Sequence, residues 1–187
     1  MSKQRMAPGD LERVRRFVNT RQVGHGTDLL GDTAGTAEWF VAEGLAPNDL
    51  RATRADAARA VALREALRAV LVAHGQGTDA SPDAARVLDA TARRARLHLH
   101  FHEDGEASLV PEAAGVDGAL GSLLAIVHDS IAQGTWTRLK ACRDESCAWA
   151  FYDHTKNRSG AWCSMERCGN RAKARVHRER HGAHAGG

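Results

Sequence analysis

The chain has four cysteines, arranged as Cys142-x4-Cys147 and Cys163-x4-Cys168, and all lie in its last quarter. Thiolates are soft ligands. Two short-spaced pairs separated by a hairpin-length insert can bring four sulfurs around one tetrahedral ion. The pattern predicts one structural Zn2+ per chain, held by Cys142, Cys147, Cys163 and Cys168. Four sulfur ligands close the coordination sphere and leave no place for a reactive water, which argues against hydrolysis there. No nucleophile elbow, phosphate loop or supported pair of carboxylates occurs elsewhere, so the chain is not expected to be an enzyme.

A second chemistry is carried by charge. The formal net charge is +3, but Arg138 to His181 holds 11 Lys/Arg against 5 Asp/Glu, leaving 15 against 18 for the remainder. Such a local excess beside the cysteines predicts an anionic partner. Plotted as a helix, Met165, Cys168, Ala172 and Val176 share one side. Arg167, Arg171 and Arg178 form an outer stripe, with Asn170 and His177 beside it and Lys173 and Arg180 on a flank. Arginine forks suit phosphates and guanine edges, and asparagine suits adenine. Lys156 and Arg158, in the polar turn His154–Gly160, are expected to meet phosphates, while Asn170 and Arg171 reach base edges or pin the hairpin.

A third cluster is His98, His100 and His102, which alternate along one strand and so share a face; they read either as a polar sheet face or as a second metal site.

The elements that must position these groups are legible in part. A helix over about Arg54 to Ala73 carries the stripe Ala60, Leu63, Leu67, Val70 and Leu71, with Thr53 and Asp56 as a capping box and Gly75 to Gly77 as its exit. Ser81-Pro82-Asp83 starts a second helix. Leu97 to His102 alternates as a strand with an apolar face of Leu97, Leu99 and Phe101, and Ala107 to Val110 returns as its hairpin partner. A third helix covers about Val116 to Gln133 and ends at Gly134. Before these, 16–21 reads as a short ordered start, 24–28 as a loop and 36–41 as a short helix. The cysteine region reads as a knuckle, a hairpin and a helix carrying the last two ligands, a treble-clef arrangement. Trp136, Trp149 and Trp162 are expected to pack its small core or to support an interface.

The stretches Phe151-Tyr-Asp-His-Thr-Lys-Asn-Arg-Ser159, Trp162-Cys-Ser-Met165 and Cys168-Gly-Asn-Arg-Ala-Lys173 resemble the CGNR zinc-finger family, whose naming motif is intact at Cys168 to Arg171. Phe17-Val-Asn-Thr-Arg21, Asp28-Leu-Leu30, Trp39 and Leu109-Val-Pro111 look like the N-terminal ABATE domain with which that finger is usually paired. Arg16 stands where that domain commonly has an acidic residue. The resemblance implies bacterial transcriptional regulators in which the N-terminal domain senses stress and the finger binds DNA.

The expected fold is therefore α+β: a mainly helical N-terminal domain with a small antiparallel hairpin over 1–135, a treble-clef-like finger over 136–181 and a disordered tail over 182–187. The expected function is a one-component regulator that binds double-stranded DNA through Lys156, Arg158, Arg167, Asn170, Arg171, Lys173 and Arg178. A small-molecule effector is expected at Asn19, Thr20 and Arg21, whose structural reading is satisfied backbone and an acid pairing. A homodimer would enlarge the footprint of one small finger. The alternative is a zinc-stabilised protein–protein adaptor. No run approaches the roughly 18 apolar residues that span a bilayer, and the charged start lacks a leader's apolar stretch, so a cytoplasmic protein is expected.

Overall fold

The longest element begins where local chemistry dictates. Thr53 Oγ1 accepts from the Asp56 amide at 3.2 Å, and the Asp56 carboxylate accepts from the Thr53 amide at 2.7 Å, completing the capping box. The computed structural model describes residues 6–23 and 26–182, and side chains within that range except at 176, 177 and 179–182. The expected loop positions 24 and 25, the tail at 183–187 and the side chains of Val176, His177 and Arg180 lie outside the described residues.

In chain order the elements are α1 (Leu11–Val18), β1 (Arg21–Gln22), β2 (Thr27–Asp28), α2 (Thr33–Ala42), α3 (Arg54–Gln76), α4 (Pro82–Ala95), β3 (Leu97–Phe101), β4 (Ala107–Pro111), α5 (Gly115–Ala132), β5 (Leu139–Ala141), β6 (Ala150–Tyr152) and α6 (Asn170–Gly182). The strands pair only as neighbours, β1 with β2, β3 with β4 and β5 with β6, all antiparallel. Among the described residues the architecture is mainly helical with three small hairpins; the sequence reading expects the helical character and the hairpins β3–β4 and β5–β6, whereas β1–β2 ends in the stretch 24–28 that it reads as a loop.

Helix α1 begins five residues before the ordered start expected at 16–21, and two further details differ from that reading. Helix α3 runs through Gly75 to Gln76 and stops at Gly77, whose φ of 70° is the left-handed conformation that ends helices. A glycine inside a helix costs about 1 kcal/mol and does not by itself terminate it. The second concerns the ribbon β3–β4. Leu97 is half-buried against α5, but Leu99 and Phe101 are 56% and 70% exposed. The ribbon outruns the helix beneath it, so only its base is covered. At that base Gly121 of α5 is required: a Cβ there would lie 2.5 Å from Ala95 Cβ and 2.9 Å from Pro111 Cβ.

Helices α1, α2, α3 and α5 enclose Val14, Phe17, Phe40, Leu63, Leu67, Leu71, Leu120 and Leu123. The same hydrophobic cluster continues into the cysteine region through Trp136, Leu139, Ala141, Ala150 and Tyr152. Strands β5 and β6 therefore share the helical core on one face, while Phe151 of β6 is buried outside that cluster. Arg16, the departure from the ABATE pattern, ion-pairs with the buried Glu43 at 2.5 Å.

Polar contacts hold the same seam. His74 of α3 bonds through Nδ1 to the Leu139 carbonyl at 2.9 Å and stacks edge-on to Trp136. Burial, aided by the Lys140 charge and opposed by the Leu139 bond, holds its imidazole below the ordinary 6.5. The unfolded chain thus binds this proton more readily than the folded one. Its stabilisation is complete above pH about 6.5 and is lost as pH falls through the lower folded value. His74→Gln should therefore lessen the fall in urea midpoint between pH about 7.5 and about 5.5. An unchanged profile would remove His74 from the account.

Candidate metal centre

Each limb of the cysteine cluster is built by its own backbone. After β5, the Cys142 amide donates to the Trp149 carbonyl at 2.9 Å, closing a tight loop. Within it the Asp144 carbonyl accepts from Cys147 and Ala148 amides at 2.8 and 2.9 Å, and the Asp144 carboxylate accepts from Ser146 Oγ at 2.6 Å. The Arg143 amide donates to the Ala161 carbonyl at 3.0 Å, which draws the second limb alongside the first. Ser164 then caps a widened helical turn, Met165–Gly169, that carries Cys168 into α6. A Cβ at Gly169 would sit 2.8 Å from Met165 Sδ, so a larger residue there would displace the exposed end of that methionine.

The four sulfurs lie within 4.8 Å of one another, with Cys147–Cys163 at 3.6 Å and Cys163–Cys168 at 3.7 Å. Sulfurs placed about 2.3 Å from a central zinc stand at tetrahedral edges of about 3.8 Å. These separations are far too long for a disulfide, whose sulfurs sit about 2.05 Å apart. Hydrogen bonds from Cys147 and Cys163 hold the Cys142 thiol down at about 2, and the same contacts push Cys147 up to about 12 and Cys163 upward as well. One anion is stabilised at the expense of its neighbours. Only a cation in their midst lets all four be thiolates, so the donor set fits Zn2+ in both geometry and charge.

The basic side chains stand on the rim of this cluster. Lys156, Arg158, Arg167, Asn170, Arg171, Lys173 and Arg178 are all exposed. The loop bearing the first two is wound around Asp153, which is 1% exposed. Its carboxylate accepts from the Thr155 amide and hydroxyl, the Gly160 amide and Lys140 Nζ, at 3.0, 2.7, 2.8 and 2.8 Å. Hydrogen bonds from Lys140 and Thr155 outweigh burial and lower its pKa to about 2. Lys140, itself 5% exposed, also donates to the Arg158 carbonyl. Neither Lys140 nor Asp153 was marked by the sequence pattern, since a lysine alternating with Trp136 and Arg138 reads as facing water.

On the helical side, Asn19 Nδ2 donates to the Ala150 carbonyl at 2.9 Å while the Ala150 amide donates to Asn19 Oδ1 at 2.7 Å. Thr20 Oγ1 donates to the Phe17 carbonyl at 2.7 Å and accepts from the fully buried Arg64 at 3.3 Å. Arg21 is exposed, 3.8 Å from Glu65. Arg68 adds bonds to the Ala148 and Val18 carbonyls at 2.7 and 2.6 Å. Among the three residues proposed for an effector, the two buried ones thus have partners within the fold. His98 and His100 lie on one face of β3 and His102 just past its end; all three are exposed, with the His100 and His102 rings 5.0 Å apart. Among the described residues, the group of three or more His, Cys, Asp or Glu able to hold a metal is the four cysteines.

Two family models match the chain. The CGNR zinc finger matches residues 138–181. ABATE, described as "Putative stress-induced transcription regulator", matches residues 12–134, well over half of the whole. The chain belongs to the ABATE family. No curated protein matches it. The segments matched by the two families meet where His74 bonds Leu139 of β5, Asn19 bonds Ala150 of β6 and Arg68 bonds Ala148 just before β6. Neither is an enzyme family, and no helix among the described residues is long and apolar enough to cross a membrane.

Proposed function

We propose that this ABATE protein is a DNA-binding transcription regulator whose CGNR finger, roughly residues 136–181, is held in shape by one zinc ion on Cys142, Cys147, Cys163 and Cys168. The observation that carries it is the coincidence of the four-sulfur cluster with the exposed cations raised on the same module. When bound, zinc supplies four strong bonds that fix the two limbs in place. The chain's own residues do the rest. Asp153 and Lys140 hold the 153–160 loop open so that Lys156 and Arg158 reach phosphates. Arg167, Asn170, Lys173 and Arg178 line the start and outer side of α6, where a helix entering the major groove of double-stranded DNA would present them.

Regulation is assigned to the ABATE part. A groove of about 410 Å³ between α2 and residues 48–52 carries Glu38, Asn48 and Arg51 above apolar Val41 and Leu50, and it is our candidate for a small effector. Arg21, exposed beside Glu65, offers a second point of contact. Two copies acting together would double the footprint on the operator; sedimentation of the free and DNA-bound protein tests this.

A second reading is a protein–protein adaptor, favoured by the exposed Leu99 and Phe101 on the β3–β4 ribbon. Binding to a randomised duplex pool, followed by sequencing, separates the two. Enrichment of a motif and an affinity that falls steeply between 50 and 200 mM salt, by about a tenfold or more, are expected for the regulator. Lys156→Ala and Arg158→Ala should each weaken all sequences alike and reduce the salt slope by about 1. Flat salt dependence with no enrichment favours the adaptor.

A further inference from the structure

We infer that Arg171, the arginine of the CGNR motif, is a positioning residue of the metal centre, committed to the thiolate of Cys168 and to the opposite limb of the cluster. This rests on the reading that the four cysteines hold zinc. Arg171 Nη2 lies 3.3 Å from Cys168 Sγ and 3.1 Å from Asp144 Oδ2. A terminal guanidinium nitrogen has two hydrogens, so one can point to sulfur and the other to the carboxylate.

The three-residue spacing explains the first contact. On a helix a long side chain leans back toward the N-terminus, so a residue at i+3 covers the one at i. Asp144 explains the second. Its side chain is 9% exposed and lies in the loop between Cys142 and Cys147, while Arg171 and Cys168 belong to the far limb. Its other oxygen, Oδ1, is occupied by the Ser146 amide and hydroxyl at 3.2 and 2.6 Å. The guanidinium therefore ties the two limbs together at the sulfurs.

Charge gives the tie its sign. Four thiolates around one divalent ion leave two net negative charges, and one guanidinium offsets half of them. An N–H donor on a thiolate also withdraws electron density, making that sulfur a poorer base and a poorer nucleophile. Arg167, Lys173 and Arg178 are exposed, and among the described residues the hydrogen bond from a basic side chain to a cysteine sulfur is that of Arg171. The motif arginine serves the metal, and the neighbouring cations serve the phosphates.

The experiment uses the full chain loaded with zinc, or with cobalt as a coloured substitute. Arg171→Ala should weaken zinc by about 10- to 100-fold in competition with a chromophoric chelator, and Arg171→Lys should recover part of the loss. The thiolate-to-cobalt absorption should move to lower energy in Arg171→Ala, and mass-mapped alkylation should reach Cys168 sooner. Asp144→Asn should weaken zinc without the spectral shift, because the N–H donor to sulfur is kept. Metal saturation should restore the salt slope of DNA binding in Arg171→Ala. The inference is overturned if zinc affinity and the cobalt band are unchanged in Arg171→Ala, above all if that variant loses preference for one DNA sequence. A parent chain that takes up no cobalt overturns the zinc reading itself, and the two failures are told apart by the parent alone.

Discussion

Cys163→Ser should strip the purified chain of its zinc and unfold the segment from Cys142 to Gly169 while leaving α1 to α5 assembled. Serine is a far weaker ligand, and structural zinc supplies on the order of 10 kcal/mol to a module that cannot otherwise close. The loss reaches beyond the cluster, because β5 and β6 seat Leu139 and Tyr152 in the core shared with α1 and α3. Metal analysis should fall from one zinc per chain to none. Hydrogen exchange should rise across 142–169 and, less, at the ends of α1 and α3. Zinc retained at one per chain would refute the four-cysteine assignment outright.

The next largest effect is expected at Lys140→Met. Lys140 and Asp153 form an ion pair with side chains 6% and 0% exposed, joined at 2.8 Å. Removing only the cation leaves a carboxylate buried without its counter-charge, which typically costs about 3–5 kcal/mol. Methionine fills nearly the same volume, so the loss reports charge and hydrogen bonding more than cavity. Loss of the Lys140 bond to the Arg158 carbonyl should also loosen the 153–160 loop. Chemical denaturation of the zinc-saturated variant measures this; a change below about 1 kcal/mol would mean that the bonds from Thr155 and Gly160 suffice for Asp153.

Local rules made much of this molecule legible. The Thr53–Asp56 box, the five-residue stripe on α3 and the alternation of β3 act through neighbours in sequence, and each lies where expected. The cysteine spacing carried the site because a four-ligand demand restricts what two pairs can be for. Less visible were features decided at a distance. Leu99 and Phe101 have the apolar alternation of a covered strand, but coverage depends on how far α5 extends. Arg64 is buried against Asp28, 36 positions away, and Lys140 against Asp153, 13 positions away across the β5–β6 hairpin, so neither burial shows in a residue's immediate neighbours. Asn19 sits 131 positions from the backbone it binds. Arg167, Arg171 and Arg178 are all exposed, but the same plot sets Met165 beside Cys168 and it is 48% exposed, and a side chain's final partner depends on what the other limb offers.

The Asn19 amide grips Ala150 as a neighbouring strand would, reading its carbonyl and its amide at once. A three-residue pairing such as β5–β6 specifies its own register poorly, and a slip of one residue would turn every side chain to the wrong face. Here the register is gauged from outside, by a side chain on the end of α1 and by Arg68 on the Ala148 carbonyl. The limb that bears Cys142 and Cys147 is thereby anchored on the helical scaffold. Transplanting residues 136–181 into another chain would carry all four ligands but leave that anchor behind.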